Sequence, residues 1–321
     1  MQRRHFLAAA ALAAASQARA QAAYPNQPIR WIVPYPAGGG TDALARTIAE
    51  TMRAGLGQQI LVDNRPGAST NIGGDLVAHA KPDGYTVMSA DNAILAFNEH
   101  LFTKLPFNPD RDFTYIGAIA RFPLALVVNP GFEARTLADF IAYAKANPGK
   151  LNYASPGNGS PHHLAMELFK NRTGTFITHI PYRGAAPAMQ DVMGGQVPCM
   201  FLDLAAGLPV IQSGKVRALA IGSARRAPSL PNVPTLAESG VRDAEVYAFQ
   251  GLLGPAGLPD PILTRLNGEL NKALAAPAVQ KRLTDFGMEP LPGTPAQFHA
   301  MAREEARRWG PVIKQAGVKL D

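Results

Sequence analysis

The residues best suited to chemistry crowd into one stretch, Tyr153–Phe169, which reads YASPGNGSPHHLAMELF. It holds two hydroxyls (Ser155, Ser160), two imidazoles (His162, His163) and one carboxylate (Glu167) around Gly157 and Gly159. Four chemistries suit such a set: a phosphate cradle, a Ser/His nucleophile, a metal site, or a clamp that holds an anion on backbone N–H groups. A dinucleotide fingerprint needs Gly or Ala where His162 stands, and the chain has no G-x-x-x-x-G-K-[ST]. Neither serine sits in G-x-S-x-G. A histidine base so near in the same loop lacks an identified orienting acid, so Ser155 and Ser160 read better as helix-capping hydroxyls. His163 and Glu167 share a helix face at i,i+4, but two ligands are too few for a metal. That pair reads as a surface His–Glu contact.

The anion clamp asks for less. A strand ends, glycines turn the backbone, and a helix begins whose first N–H groups have no intrahelical partner. The positive end of the helix dipole then favours a carboxylate without any Lys or Arg. A second stretch, WIVPYPAGGGTDALAR (31–46), repeats the design, with Thr41 and Asp42 as capping candidates. Two such loops facing one cleft would grip a small anion from both sides.

The elements that must position these loops alternate along the chain. IRWIVPY reads as a strand, and TDALARTIAETMRAGLG sets Leu44, Ile48, Met52 and Leu56 on one helix face before Gly57 ends it. QILVDN, IGGDLVAHA and YTVMSA continue as strand, helix, strand. The alternation restarts after residue 123 with PLALVVN, then TLADFIAYAKA, where Thr136 and Asp139 suit an N-cap and N3. LNYAS, TFITHI, VPCMFLD and VRALAIG read as further strands. The alternation predicts parallel βαβ units, in an α/β fold with two lobes. From Phe249 the pattern turns helical, with Pro261 and Pro295 in the first turns of long helices. A helical tail must bury its apolar face, most simply by returning to the first lobe. The chain then crosses between lobes twice, near 121–126 and 244–250.

Composition narrows the function classes. The chain has 321 residues, 47% hydrophobic and 17% charged, enough for two compact lobes. MQRRHFLAAAALAAASQARA reads as an export signal: basic start, short apolar stretch, A-x-A cleavage site, and a twin-arginine-like RRHFL. Its removal takes Arg3, Arg4 and Arg19 from a net charge of +7, leaving a mildly basic mature chain. No dense Lys/Arg run with aromatics suggests nucleic acid. The single cysteine, Cys199, excludes an intramolecular disulfide and reads as a small buried thiol. No later stretch is apolar enough to span a membrane. A soluble periplasmic protein is expected.

Taken together, PYPAGGGTDALAR, VDNRPGASTNIGGDLVA, KPDGYTVM, LNYASPGNGSPHHLAMELFK, HIPYRGAAPAMQDVMGGQV, GKVRALAIGSARRAPSLPNVPTLAESGV and GLLGPAGLPDPILTRLNGELNKAL resemble the periplasmic substrate-binding proteins of tripartite tricarboxylate transporters, the Bug family. The resemblance spans about residues 24–321. It implies a type II-like, two-lobe periplasmic binding protein with two crossover strands, closing like a Venus flytrap. The lobes would be residues 24–123 with 248–321, and residues 124–247. It implies a small carboxylate ligand: a dicarboxylate, tricarboxylate, acidic amino acid or aromatic acid. The partners implied are the membrane subunits of the transporter, or a sensor protein, for a monomeric receptor without cofactor or metal. An exported hydrolase using the Ser/His loop is the alternative. Carried over, the first loop gives Tyr35, Ala37, Gly38, Gly39, Thr41 and Asp42; the second gives Ser155, Gly159, Ser160 and His162. Asp203 matches the family's acid at a strand end, and Asp91 and Asn92 follow a strand toward the cleft. Tyr35 would cover a flat ligand. Pro156 departs from the family pattern and removes one N–H from the clamp. Arg183 reads as a solvated turn residue, and RPGAS and SLPNVPT as structural turns.

Overall fold

A computed structural model describes residues 24–285 and 287–320. The export signal expected over residues 1–20 lies outside the described residues.

The first three strands, β1 (Ile29–Val33), β2 (Ile60–Asn64) and β3 (Thr86–Asp91), pair in parallel in the order β2-β1-β3. Helix α1 (Gly40–Leu56) joins β1 to β2 and buries Leu44, Ile48, Met52 and Leu56, the face its periodicity predicts. It stops at Gly57, whose left-handed backbone (φ 69°) lets its N–H bond Arg53 O. Helix α2 (Asn71–Ala78) leads to β3, and a π-helical turn (Ala93–Phe97) follows it.

Strand β4 (Phe113–Val128) is 16 residues long and changes partners partway. Next come α3 (Leu137–Ala146), β5 (Asn152–Ser155), α4 (Pro161–Thr173), β6 (Thr178–Pro181), α5 (Ala185–Met193), β7 (Cys199–Asp203), α6 (Leu204–Gln212) and β8 (Arg217–Ile221). Strand β9 (Tyr247–Pro255) returns, followed by α7 (Asp260–Ala275), α8 (Pro277–Asp285), β10 (Glu289–Pro290) and α9 (Pro295–Ala316). From Phe113 to Pro123, β4 pairs with β9; from Leu124 to Val128 it pairs with β7 and β8. The sheet is continuous in the order β2-β1-β3-β9-β4-β7-β5-β6.

The βαβ expectation holds for β1–β3 and for β5–β7, which are parallel. It fails around the two long strands. β3–β9, β4–β9, β4–β7 and β4–β8 are all antiparallel. The chain leaves the first set of strands on β4 and re-enters it on β9, so these two strands must run oppositely. The helical pattern read as one unit from residue 260 is two helices. Ala276 is extended (φ −65°, ψ 130°) because Pro277 pushes its predecessor out of the α region.

The caps are where the residue types call for them. Thr136 accepts from the Asp139 N–H, and Asp139 accepts from the Thr136 N–H at 2.9 Å, a full capping box. The C-terminal helix packs back beside the first set of strands: Trp309 of α9 meets Phe97, in the π-helical turn after β3, edge-on, ring centroids 5.2 Å apart. Cys199 is buried, and burial pushes its thiol well above the usual range. Among the described residues, no helix is long and apolar enough to cross a membrane.

Candidate functional site

The first wall forms where β1 gives way to α1. Gly39 is the N-cap of α1, without a side-chain cap bond; Thr41 and Asp42 lie inside the helix rather than at its cap. The turn needs a glycine at position 38, where φ is +83°. Asp42 is buried and faces its own loop. It accepts from the Gly38 N–H (2.9 Å), from Asn64 Nδ2 (3.0 Å) and from Arg46 Nε (3.0 Å). Burial pushes the Asp42 carboxyl up, but those bonds outweigh it and hold it below the usual range. Asp42 therefore fixes the loop. Ala37, Gly38 and Gly39 are exposed, and the first N–H groups of α1 have no intrahelical partner.

Tyr35 donates its hydroxyl to Asp91 Oδ2 at the end of β3, and Asp91 Oδ1 accepts from the Ala93 N–H at 3.1 Å. Burial raises the Asp91 carboxyl, with the Tyr35 hydroxyl and backbone N–H groups opposing. Asn92 turns away to pin β9, accepting from the Phe249 N–H (2.8 Å) and donating to Tyr247 O (3.1 Å). Gln250, on β9, donates to Thr41 Oγ1 at 2.6 Å. Nothing in the apolar run around it marked Gln250 in advance.

The second wall starts at β5. Ser155 is fully buried; its Oγ lies 2.6 Å from His179 Nε2 and accepts from the Gly157 N–H at 3.1 Å. Ser160 caps α4, accepting from the His163 N–H (3.3 Å) and donating to Gly157 O (2.8 Å). Both hydroxyls hold the loop. The Gly159 N–H is likewise turned inward, onto His163 Nδ1 at 3.0 Å. Pro156 lacks an N–H, and its carbonyl accepts from Gly184 at 3.0 Å. The loop thus spends these polar groups on itself and on the neighbouring β6 and Gly184.

His163 and Glu167 are not the surface pair expected: His163 is buried, and its Nε2 lies 3.9 Å from Glu167 Oε1. His163 instead stacks on His179 (4.0 Å, 9°), which stacks on Tyr153 (4.7 Å, 18°). Burial first, with Lys170 nearby, pushes His163 down to about 4. Burial and His163 push His179 down to about 3. Among the described residues, no group of three or more His, Cys, Asp or Glu is placed to hold a metal ion.

Asp203 supplies what the second loop withholds. It is the N-cap of α6, its Oδ1 accepting from the Ala206 N–H at 2.8 Å, while its Oδ2 accepts from His162 Nε2 at 3.1 Å. Burial pushes Asp203 up, but His162 and the Ala206 N–H prevail and hold it below the usual carboxylate range. The pair ties the first turn of α4, the helix that follows β5, to the end of the adjacent parallel strand β7, at the carboxyl edge where open α/β sheets take ligands. The N–H groups of Leu204 and Ala205 open α6 without intrahelical partners. A Cβ built on Gly40 would stand 3.9 Å from the Ala205 Cβ, so the starts of α1 and α6 face each other. Helix N-termini that approach each other suit an anion without Lys or Arg. The α6 N-terminus was legible as an Asp N-cap ahead of LAAGLPVIQ. Arg183 is exposed.

Residues 44–318 match the family described as the tripartite tricarboxylate transporter family receptor. The chain belongs to this family. It is a solute-binding receptor rather than an enzyme, which sets aside the hydrolase alternative. Protein BugT of Bordetella pertussis is 38% identical over 316 residues, covering 98% of this chain and 96% of BugT. Among solved structures, R. palustris Rpa4515 with adipate is 36% identical at a TM-score of 0.88, covering 92% of this chain and 99% of that one. The periplasmic binding protein BugD is 34% identical at a TM-score of 0.86, with coverage of 92% and 99%. The receptor's fold is accordingly the mixed α/β fold of periplasmic binding proteins, as the sequence resemblance implies.

Proposed function

We propose that the receptor is exported to the periplasm and captures a small organic carboxylate between two lobes, residues 24–123 with 248–321 and residues 124–247. The observation that carries this reading is the approach of Gly40 to Ala205, which sets the open N–H groups of α1 against those of α6. Tyr35 and Asp91 form the floor on one side, and the His162–Asp203 pair forms it on the other. Asp42, Ser155, Ser160 and Asn92 hold the loops in place. A relative of the same fold has been solved with adipate, which supports a carboxylate ligand.

Closure is a hinge motion of the two crossing strands. β4 changes partners between Pro123 and Leu124, and the Leu124 N–H reaches Val246 O at 3.4 Å just ahead of β9. The loaded receptor, acting as a monomer, then docks on the membrane subunits of its transporter.

The test is a thermal-shift and calorimetric survey of dicarboxylates, tricarboxylates, acidic amino acids and aromatic acids. A ligand present at 100 times its Kd stabilises the protein by about 2.7 kcal/mol. At least one carboxylate should raise Tm and saturate; silence across the survey contradicts the reading.

A further inference from the structure

We propose, resting on the carboxylate reading above, that the ligand carries a hydrogen-bond donor next to its clamped carboxylate, an α-hydroxyl or α-ammonium group, and that Gln250 reads it. Gln250 sits on β9 directly opposite Asp91 of β3, so the two side chains share one face of the sheet. Asp91 takes the Tyr35 hydroxyl, which places that face at the floor of the candidate site. The Gln250 side chain is 3% exposed, and its Nε2 is fixed on Thr41 Oγ1 at 2.6 Å. Thr41 is the second residue of α1, among the open N–H groups that would hold the carboxylate.

The other half of the amide is unspent. Gln250 Oε1 is buried and has no hydrogen-bond partner. The structure sets the amide nitrogen on Thr41 Oγ1 and leaves the oxygen as the free atom. The Tyr35 hydroxyl is on Asp91, and Asn92 Nδ2 is on Tyr247 O. A buried acceptor without a donor is costly, and native structures satisfy nearly all of them. One planar amide group separates Oε1 from the atom bound to Thr41. A donor that reaches Oε1 thus comes close to a carboxylate held at the first turn of α1.

The opposite wall repeats the pattern. His162 is 8% exposed, and its Nε2 faces Asp203 and so carries the hydrogen. Its Nδ1 is buried and without a partner. Each wall thus holds one buried polar atom without a hydrogen-bond partner.

The test uses matched acids on the mature chain: succinate, malate and aspartate; propionate, lactate and alanine; phenylacetate, mandelate and phenylglycine. Each is titrated by calorimetry against wild type, Gln250→Met and Gln250→Glu. Sites built around a ligand hydroxyl or amine discriminate strongly against analogues lacking it. In whichever series binds, the substituted members should bind at least about tenfold tighter than the parent acid. Gln250→Met should erase that preference while still binding the parent acid, and Gln250→Glu should keep or increase it for the ammonium member. A parent acid that binds wild type as tightly as its substituted partners overturns this inference and leaves the carboxylate reading standing; a water serving Oε1 would give that result. Failure of all three series overturns this inference, and the carboxylate reading falls with it only if the wider survey above is also silent.

Discussion

Gly40 at the start of α1 and Ala205 at the start of α6 belong to different sets of strands, yet a Cβ on the first would touch that of the second at 3.9 Å. Helix N-termini rarely have reason to meet. Each carries roughly half a positive charge, and an anion between them turns repulsion into a bridge. Ala205→Trp should therefore wedge the gap. Ligand affinity should fall about tenfold or more, a loss of roughly 1.4 kcal/mol, with the ligand-free Tm little changed. Calorimetry and thermal melts on the same preparation check both parts.

Asp203 has two duties, and they can be separated. Asp203→Ala removes the α6 cap and leaves His162 Nε2 without its acceptor; a loss of about 2 kcal/mol is expected. Asp203→Asn keeps an oxygen for the Ala206 N–H and should lose less. The folded Asp203 carboxyl lies below its ordinary value. Its ionic contribution is thus present above about pH 4 and disappears as pH falls through the folded value. Denaturant melts at pH 7 and near pH 3 should show the wild-type advantage over Asp203→Asn shrinking in acid.

The His163–His179 stack predicts a second acid sensitivity, at higher pH. Both imidazoles titrate lower in the folded protein, at about 4 and about 3, than the ordinary value of 6.5. Between those values the unfolded chain binds more protons, so stability must fall as pH drops from about 6.5 toward 4. The loss should be a few kcal/mol in total, less than the shifts alone imply because His179 is only half-buried. His179→Gln should flatten the slope of Tm against pH in that window. An unchanged slope would count against the stack as its source.

Gly251 tests the packing behind the site. A Cβ there would stand 2.0 Å from Phe298 Cζ, so the ring of α9 occupies the space a side chain would need. Gly251→Ala should cost about 1–3 kcal/mol, measured by denaturant melts, because Phe298 must move. Gly40→Ala, with 3.9 Å of clearance, should cost much less.

These residues also mark what a sequence can and cannot disclose. Strand–glycine–helix units are local, and so were legible: Gly38 and Gly57 sit where the chain needs positive φ, and Thr136 and Asp139 form their capping box. The antiparallel crossing strands were not. PLALVVN looked like one strand, but it is the second half of a 16-residue strand whose partners lie far along the chain. Asn92 pairs with Phe249, 157 residues away, and Gln250 with Thr41, 209 residues away. No periodicity encodes such contacts. The serines and histidines of Tyr153–Phe169 were visible from their types. Their orientation was not, because it depends on His179 from β6 and Asp203 from β7.

The central claim is a place as well as a ligand class: a carboxylate held between the first turns of α1 and α6. Amide nitrogen–proton NMR spectra of the 15N-labelled mature protein, titrated with the carboxylate that gives the largest thermal shift, test both together. The account predicts saturable shifts concentrated on the N–H groups of Gly39, Gly40 and Thr41 and of Leu204 and Ala205. Saturable binding that leaves both helix starts undisturbed would contradict it.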